Sequence, residues 1–504
     1  MLKSNLIANF LGQGWVALMR FAFIPLYINY LGIEVYGLIG LYLTLETWLK
    51  LLDMGMTPTL SREMARFIGG SHNVESIRDL MRSIEILVIS IAILIASSAY
   101  LGSQWAARTW LKAESLPAPE VAQAIIIMGL VTAVRYVEGL YRSCLVGLQR
   151  QVLVNVVDSS MATLRGLGAV GVLVWVSPSI EAFFFWQGIV SFLSLILLAI
   201  FTYSSLPRLE GKARFSIAAL RGVYQFLAGT VLITLVSLLN TQIDKLLLSN
   251  LLTLSEFGYY TIAVTVAGAV LMVISPITQA LYPRLTQLHA DGDRKQLICT
   301  YHLGAQLVSV IAGSVAIVLI VFAETLLHLW THDSELSHRV APLLRLLVLG
   351  NLLNGLLHIP FQAQLAFGWT SLGIRIGSIA ALITVPSILW AVPIYGAEGA
   401  AWVWVFTRAA ILIVGAQFMF HRILITEKWH WYWQDIALPI FSILFVVMGL
   451  QWLLPNPTNI FTQLATLAGA FIVSLAAASL AAPYIRRRAT KYVIPTLREL
   501  VNRH

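Results

Sequence analysis

The chain has 504 residues, of which 58% are hydrophobic and only 11% are charged, and its mean hydropathy is +0.81. This composition excludes a soluble globular protein and indicates an integral membrane protein, because a spanning helix needs about 20 consecutive apolar residues. The formal net charge of +9 does not indicate nucleic-acid binding, because most basic residues lie in short connections on one side of the predicted spans.

Fourteen apolar stretches of spanning length follow one another along the chain, and the connections between them are too short to bury a core of their own. We expect them at about 9–30, 35–54, 84–102, 121–147, 152–176, 182–203, 222–250, 257–285, 301–330, 340–367, 371–394, 398–420, 435–454 and 460–482. The one Gly-Lys pair, Gly211-Lys212, lacks the upstream glycine of a phosphate-binding loop, so no ATPase is predicted. The predicted fold class is all-α and integral to the membrane.

Lysine and arginine are unequally divided between the two sides of these spans. With the N-terminus inside, the connections and tails assigned to the cytoplasm hold 21 of them, and the opposite side holds Arg108, Lys112 and Arg339. This bias predicts that both termini are cytoplasmic. Cys144 and Cys299 are the only cysteines and lie near predicted cytoplasmic ends, so we expect no structural disulfide.

The chain repeats itself once in the same orientation. Gly37 near the start of the second span and Gly258 near the start of the eighth are 221 residues apart, and Gly147 and Gly368 have the same offset. Parallel repeats of this kind place a substrate site between the two halves. The predicted domains are an N-terminal lobe at 1–205, a cytoplasmic linker at 206–221, a C-terminal lobe at 222–421, two further helices at 435–482 and a basic cytoplasmic tail at 483–504.

Charged residues lie inside the predicted spans, where a lipid-facing helix tolerates them poorly. Groups that share one helix face through spacings of three, four or seven are Glu46, Lys50 and Asp53; Arg135, Glu138 and Arg142; and Asp158 with Arg165. Two interpretations remain open. Neighbours of opposite sign can be structural pairs, and arginines near span ends, such as Arg142, Arg345 and Arg375, can extend to the interface. The alternative is a water-filled cationic cavity.

We predict such a cavity because cations outnumber anions nine to six within the spans, and the arginine fork matches phosphate geometry. The predicted substrate-binding residues are Arg20, Arg135, Arg142, Arg165, Lys245 and Arg408. A carboxylate that gains and loses a cation inside the membrane can couple transport to an ion gradient. The candidates for that role are Asp244, Asp158 and Glu46.

Three consecutive blocks, Leu31–Gly40, Leu52–Met56 and Pro58–Arg66, resemble polysaccharide exporters of the MATE-like (MOP) flippase superfamily, and most of all its Wzx-type O-antigen flippases. With further, less specific matches the resemblance covers about residues 5–480. These matches are Gly147–Arg150, Asn240-x-x-x-Asp244-Lys245 with Phe257–Tyr260, and Tyr395-Gly396-x-x-Gly399–Trp402.

The resemblance implies fourteen helices in two lobes, six in each lobe and two C-terminal, which work by alternating access. It implies export of an undecaprenyl-diphosphate-linked oligosaccharide, an O-antigen or exopolysaccharide repeat unit, to the periplasmic leaflet of the bacterial inner membrane. A cationic cavity would receive the diphosphate, and an ion gradient would drive the cycle. A polysaccharide polymerase and a chain-length regulator are expected partners besides membrane lipid, and no cofactor, metal, catalytic residue or nucleic acid is expected.

Three other functions remain as alternatives. A multidrug antiporter of the same fold would favour an acidic or apolar cavity, and the cationic excess argues against it. An O-antigen polymerase or ligase would need a sizeable outer loop with catalytic groups, and the connection at 103–120 offers only Glu114 and Glu120. A lipid II flippase shares fold and mechanism, and only the first block of the resemblance disfavours it.

Overall fold

The computed structural model describes residues 2–71, 73–207, 213–217, 234–453 and 459–488, and the side chains of these except residues 2–7, 10 and 50. Within these ranges the chain is helical and forms no β-strand. The helices are α1 Leu2–Trp48, α2 Met56–Ile68, α3 Val74–Trp105, α4 Ala118–Gly147, α5 Gln151–Trp175, α6 Ile180–Ser205, α7 Ile243–Leu251, α8 Leu254–Ala267, α9 Ala269–Ala290, α10 Arg294–Val321, α11 Ala323–Thr331, α12 Ser334–Leu356, α13 His358–Ala366, α14 Thr370–Ala410, α15 Ala416–Arg422, α16 Leu438–Leu453, α17 Ile460–Ala481 and α18 Pro483–Arg488.

Three π-helical segments lengthen these helices without breaking them. Ala106–Trp110 extends α3, Ile411–Gly415 joins α14 to α15, and Trp431–Ala437 leads into α16. Short polar side chains begin several helices: the side chain of Asn73 accepts a hydrogen bond from the Ser76 amide at 2.7 Å, which satisfies one of the amides that a helix start leaves without a partner.

Eleven helical segments of the described chain are long and apolar enough to cross a membrane, which confirms an all-α integral membrane protein. Two of them, Leu11–Trp48 and Thr370–Arg422, each contain two predicted spans. They are interrupted at Gly32, with φ 83° and ψ 167°, and at Gly396, with φ 59° and ψ −146°. The predicted span at 222–250 lies outside the described residues up to residue 233, so the count of fourteen stays a prediction.

The chain divides into two compact units, Met1–Gly258 and Tyr259–His504. In the first, α1 packs along α5 and α4 lies between α3 and α6. In the second, α10 is central and packs against α9, α12, α16 and α17. Most of the predicted linker at 206–221 and all of the predicted tail beyond residue 488 lie outside the described residues, so the predicted lobe boundaries remain a prediction.

Candidate functional site

A network of charged side chains connects α4 with α1 and α5 in the first unit. The spacing of three and four residues places Arg135, Glu138 and Arg142 on one face of α4. Arg135 Nη1 lies 2.8 Å from Glu46 Oε2 of α1 and donates a second hydrogen bond, 3.0 Å long, to Tyr42 Oη. The side chain of Lys50, on the same predicted face as Glu46, lies outside the described residues.

Glu138 is the centre of the rest of this network, and it is only 3% exposed. Its Oε1 lies 2.7 Å from Arg142 Nη2, and its Oε2 lies 3.5 Å from Arg165 Nη2. Arg142 Nη1 also donates to Asp158 Oδ2 on α5 at 2.8 Å, and Arg165 Nη2 contacts Ser191 Oγ at 3.5 Å. A single buried carboxylate therefore pairs with two arginines.

Charge is balanced within this network. Its three arginines face three carboxylates, those of Glu46, Glu138 and Asp158. Paired charges offset the large desolvation penalty that each would carry alone. The structure thus brings six of the residues singled out in the sequence together as ion pairs, including all three of the candidate arginines on α4 and α5. Their role in substrate binding stays a prediction.

Arg20 differs from these arginines because its side chain is exposed and makes no ion pair with any described residue. It follows the exposed Leu11 by nine residues, about two and a half helical turns, and therefore lies on the opposite side of α1. Gln13, also exposed, precedes Arg20 by seven residues and shares its side of the helix. Leu11 and Leu18 suit contact with lipid, whereas Gln13 and Arg20 suit contact with water.

The contacts of α1 with α5 occupy a further side of the helix. Trp15 Nε1 donates to Thr163 Oγ1 at 2.9 Å, and the Phe23 ring lies against Gly166 so closely that a side chain there would collide with it. Because this packing fixes the rotation of α1, Arg20 is held away from both α5 and the leucine side. In a spanning helix, a charged side chain that faces away from lipid is typical of a water-filled pathway.

Arg408 of α14 is the most buried candidate in the second unit, at 8% exposure. Its guanidinium carbon lies 3.9 Å from the centre of the Trp404 ring, a distance that gives a favourable cation–π contact. Trp404 Nε1 donates to Asn351 Oδ1 at 3.2 Å, and Asn351 Nδ2 donates to the Ala267 carbonyl at 2.9 Å. Three helices therefore fix the position of Arg408.

Arg375 lies in a different environment on the same helix. Its side chain is exposed, and Ile379 and Leu382, four and seven residues later on the same side of α14, are exposed as well. This matches the interpretation in which an arginine near a span end extends along lipid to the interface.

Asp244 and Lys245 follow one another at the start of α7. Asp244 Oδ1 lies 3.5 Å from Lys245 Nζ, and Lys245 Nζ donates to the Thr241 carbonyl at 2.8 Å. Asp53 was predicted within a span but lies after the end of the spanning segment Leu11–Trp48, where it accepts hydrogen bonds from the Thr57 amide at 3.1 and 3.2 Å. Burial raises the pKa of the Asp53 carboxyl, and these hydrogen bonds oppose the shift. A role of Asp244 in ion coupling stays a prediction.

A buried polar cluster around His302 of α10 was not predicted from the sequence. His302 Nδ1 lies 2.5 Å from Asp435 Oδ2 and Nε2 lies 3.1 Å from Glu427 Oε2. Each ring nitrogen lies within hydrogen-bond distance of a carboxylate. Gln306 Nε2 donates to Asp435 Oδ1 at 2.9 Å. Histidine and glutamine four residues apart in an apolar span were the signal in the sequence.

Comparison with known proteins gives concordant matches. Residues 2–289 match the family model described as "Polysaccharide biosynthesis protein", and residues 227–390 match the MatE model. A protein of Shigella flexneri described as "Putative O-antigen transporter" is 20% identical over 406 residues, which is 79% of this chain and 93% of that protein. The resemblance seen in the first sequence block is thereby confirmed.

Solved structures share the fold. The lipid II flippase MurJ in an inward closed conformation superposes with a TM-score of 0.70 and 14% identity, over 94% of this chain and 98% of that one. An inward-facing multidrug resistance MATE family transporter of the MOP superfamily gives a TM-score of 0.65 and 15% identity, over 82% and 96% of the two chains. At these identities the likeness shows the fold of a membrane transporter alone.

Proposed function

Because this chain belongs to the polysaccharide biosynthesis protein family within the MOP superfamily of transporters and flippases, we propose that it translocates an undecaprenyl-diphosphate-linked oligosaccharide. The cargo would be an O-antigen or exopolysaccharide repeat unit that crosses from the cytoplasmic to the periplasmic leaflet of the bacterial inner membrane. Both termini would lie in the cytoplasm, as the distribution of basic residues predicts. A polysaccharide polymerase and a chain-length regulator would act on the exported units.

The exposed guanidinium of Arg20 is the observation that carries this proposal. Its position opposite Leu11 on α1 would give it access to an aqueous path, and among the described residues of the first unit no carboxylate neutralises it. An anionic diphosphate is therefore an attractive partner, since the planar arginine fork donates two parallel hydrogen bonds to phosphate oxygens. A cationic drug would be repelled by the same group, which disfavours the multidrug antiporter.

The paired arginines would act differently from Arg20. Arg135, Arg142 and Arg165 already satisfy Glu46, Glu138 and Asp158, so they would bind the diphosphate only in exchange for a carboxylate. We propose that Arg20 meets the cargo first and that the network on α4 and α5 rearranges around it. Lipid tails would stay in the bilayer while the diphosphate and the sugars move through the aqueous path.

An ion gradient would reset the cycle. A ligand drives a conformational change only by binding the two states unequally. Asp158, Glu46 and Asp244 are the proposed carboxylates because each lies within or beside the charged groups that the cargo would contact. A cation that binds one of them in only one state would supply the difference in affinity.

The test is complementation of a strain that lacks this gene by the wild-type chain, Arg20→Ala or Arg375→Ala. Arg375→Ala is the matched control, since it removes an exposed arginine that lies on the same side of a spanning helix as the exposed Ile379 and Leu382. We expect the lipid-linked oligosaccharide to accumulate in the inner leaflet with Arg20→Ala, at least about tenfold over wild type, which corresponds to about 1.4 kcal/mol in a rate or equilibrium. Arg375→Ala should export normally.

Other results would contradict the proposal. Normal surface polysaccharide with stably expressed Arg20→Ala would remove Arg20 from the cargo path. Unpolymerised units outside would indicate a polymerase, and accumulation of lipid II inside would indicate that the cargo is the peptidoglycan precursor.

A further inference from the structure

Three segments at predicted outer ends of spans meet in the first unit. They are residues 33–37 after the break in α1, residues 110–115 after α3, and residues 249–258 from the end of α7 into α8. We call these segments together the clasp. The carboxylate of Glu34, only 7% exposed, accepts hydrogen bonds from the amides of Glu114 at 2.6 Å and Ser115 at 3.0 Å, and from the Ser115 hydroxyl. Glu34 therefore ties the second segment to the first.

The second segment is in turn tied to the third by backbone and side-chain contacts. The Leu254 amide donates to the Lys112 carbonyl at 3.1 Å, beside an isolated parallel β-bridge between Lys112 and Thr253. Lys112 Nζ donates to the Leu251 carbonyl at 2.9 Å. The Trp110 carbonyl accepts a hydrogen bond from Asn250 Nδ2 at 3.0 Å, and Trp110 Nε1 donates to Ser249 Oγ at 3.1 Å.

The first and third segments are in contact at two glycines, and the two contacts involve equivalent positions of the predicted repeats. A Cβ atom on Gly37 would collide with the Leu254 carbonyl, and a Cβ on Gly258 would lie 2.5 Å from the Ile33 carbonyl. Ile33 and Leu254 are 221 residues apart, as are Gly37 and Gly258. Each glycine thus lies against the residue that precedes the corresponding glycine of the other predicted repeat by four positions, and this close approach explains why both repeats have glycine there.

We propose that the clasp is the closed outer gate of the transport path and that it must part for cargo to leave. The third segment opens the predicted C-terminal repeat, yet these contacts hold it within the first unit, so movement between the repeats has to break them. The bonds suit reversible opening, because polar groups at a membrane surface exchange protein partners for water at little net cost. This inference rests on the proposed function, since a gate has meaning only for a transporter.

A disulfide across the clasp tests whether opening is required. Lys112→Cys with Thr253→Cys would be placed in a chain whose Cys144 and Cys299 are replaced by alanine and which still exports. Residues paired in a β-bridge are close enough for a disulfide. We expect oxidation to cross-link the pair and to lower export at least about tenfold, and reduction to restore it. Each single cysteine serves as control and should export equally with and without oxidant.

Failure of the cross-link to form would overturn the closed contact, and unchanged export by the cross-linked chain would overturn the gate and leave the clasp a static brace.

A second measurement does not depend on the cargo. Thr253→Cys would be labelled from outside with a membrane-impermeant maleimide, with and without Gly258→Ala. Because the added methyl forces the first and third segments apart, we expect labelling several times faster than in Thr253→Cys alone. Gly102→Ala is the matched control, since a Cβ there meets nothing within 4 Å. An equal rate for all three chains would overturn the gate. If labelling responds as expected while loss of the gene leaves the distribution of lipid-linked oligosaccharide between the leaflets unchanged, the gate is supported and the proposed cargo is contradicted.

Discussion

Glu138 is the residue on which the charged network of the first unit depends. It is buried, and it divides its two oxygen atoms between Arg142 and Arg165, so each arginine would be left with less compensation if the carboxylate were removed. An uncompensated buried charge is more costly than the pair is favourable. The first consequence of changing Glu138 should therefore be lower stability, whatever its part in transport.

We expect Glu138→Gln to lower the free energy of unfolding by about 3 kcal/mol, because loss of one partner of a buried ion pair costs about 3–5 kcal/mol and the amide oxygen keeps one hydrogen bond. The melting temperature in detergent is the measurement. Glu335→Gln is the control, since Glu335 is 74% exposed in its pair with Arg339 and such pairs contribute about 0–1 kcal/mol. Equal melting temperatures for the two variants would contradict the structural importance of Glu138.

His302 is the corresponding residue of the second unit, where a buried side chain lies between two carboxylates. The His302 ring lies between Asp435 and Glu427, and its loss removes a hydrogen-bond partner from both carboxylates. We expect His302→Asn to destabilise the second unit by about 3 kcal/mol, seen as a lower melting temperature. His430→Asn changes an exposed histidine 3.7 Å from Glu427 and should have little effect. A stable His302→Asn would show that the carboxylates do not need the ring.

At the scale of helices, the breaks at Gly32 and Gly396 separate consecutive predicted spans. Both backbones lie at positive φ, a region that other L-residues adopt only with strain. A Cβ at either position meets nothing within 4 Å. Any penalty of a substitution there is therefore conformational and not steric.

We expect Gly32→Ala and Gly396→Ala each to cost about 1–2 kcal/mol, measured as a lower melting temperature. Gly449→Ala is the matched control, because Gly449 lies within α16 with open space around it, and alanine there should be neutral or stabilising by up to about 1 kcal/mol. If all three variants have the same melting temperature, glycine would not be required at the breaks in α1 and α14.

For the whole molecule, the distribution of basic residues predicts the orientation in the membrane. Alkaline phosphatase fused after residue 112 should be active, because that enzyme works only outside the cytoplasm, and fusion at the C-terminus should be inactive. A fluorescent protein fused at the C-terminus should fluoresce. The reverse result in both fusions would invert the orientation and place the clasp on the cytoplasmic side.

Several features followed from the amino-acid order because their causes are local. Apolar runs of spanning length determine helices in a membrane, since unsatisfied backbone groups have no water to bond there. The interruptions near residues 32 and 396 were expected between predicted spans, and glycine at positive φ supplies them. The internal repeat was visible as an offset of 221 because glycine recurs wherever two backbones approach closely.

Charge pairing, in contrast, was decided by the tertiary structure. From the sequence, Arg135 had Glu138 as its same-face neighbour, and only the tertiary structure brings Glu46 of α1 to it instead. The rotation of α1 against α5 determines that Arg20 is exposed on the side of the helix opposite Leu11. His302 and Asp435 are 133 residues apart. Local sequence sets which residue types a helix carries, but the partner of each buried charge depends on how distant helices pack, and only the folded chain contains that information.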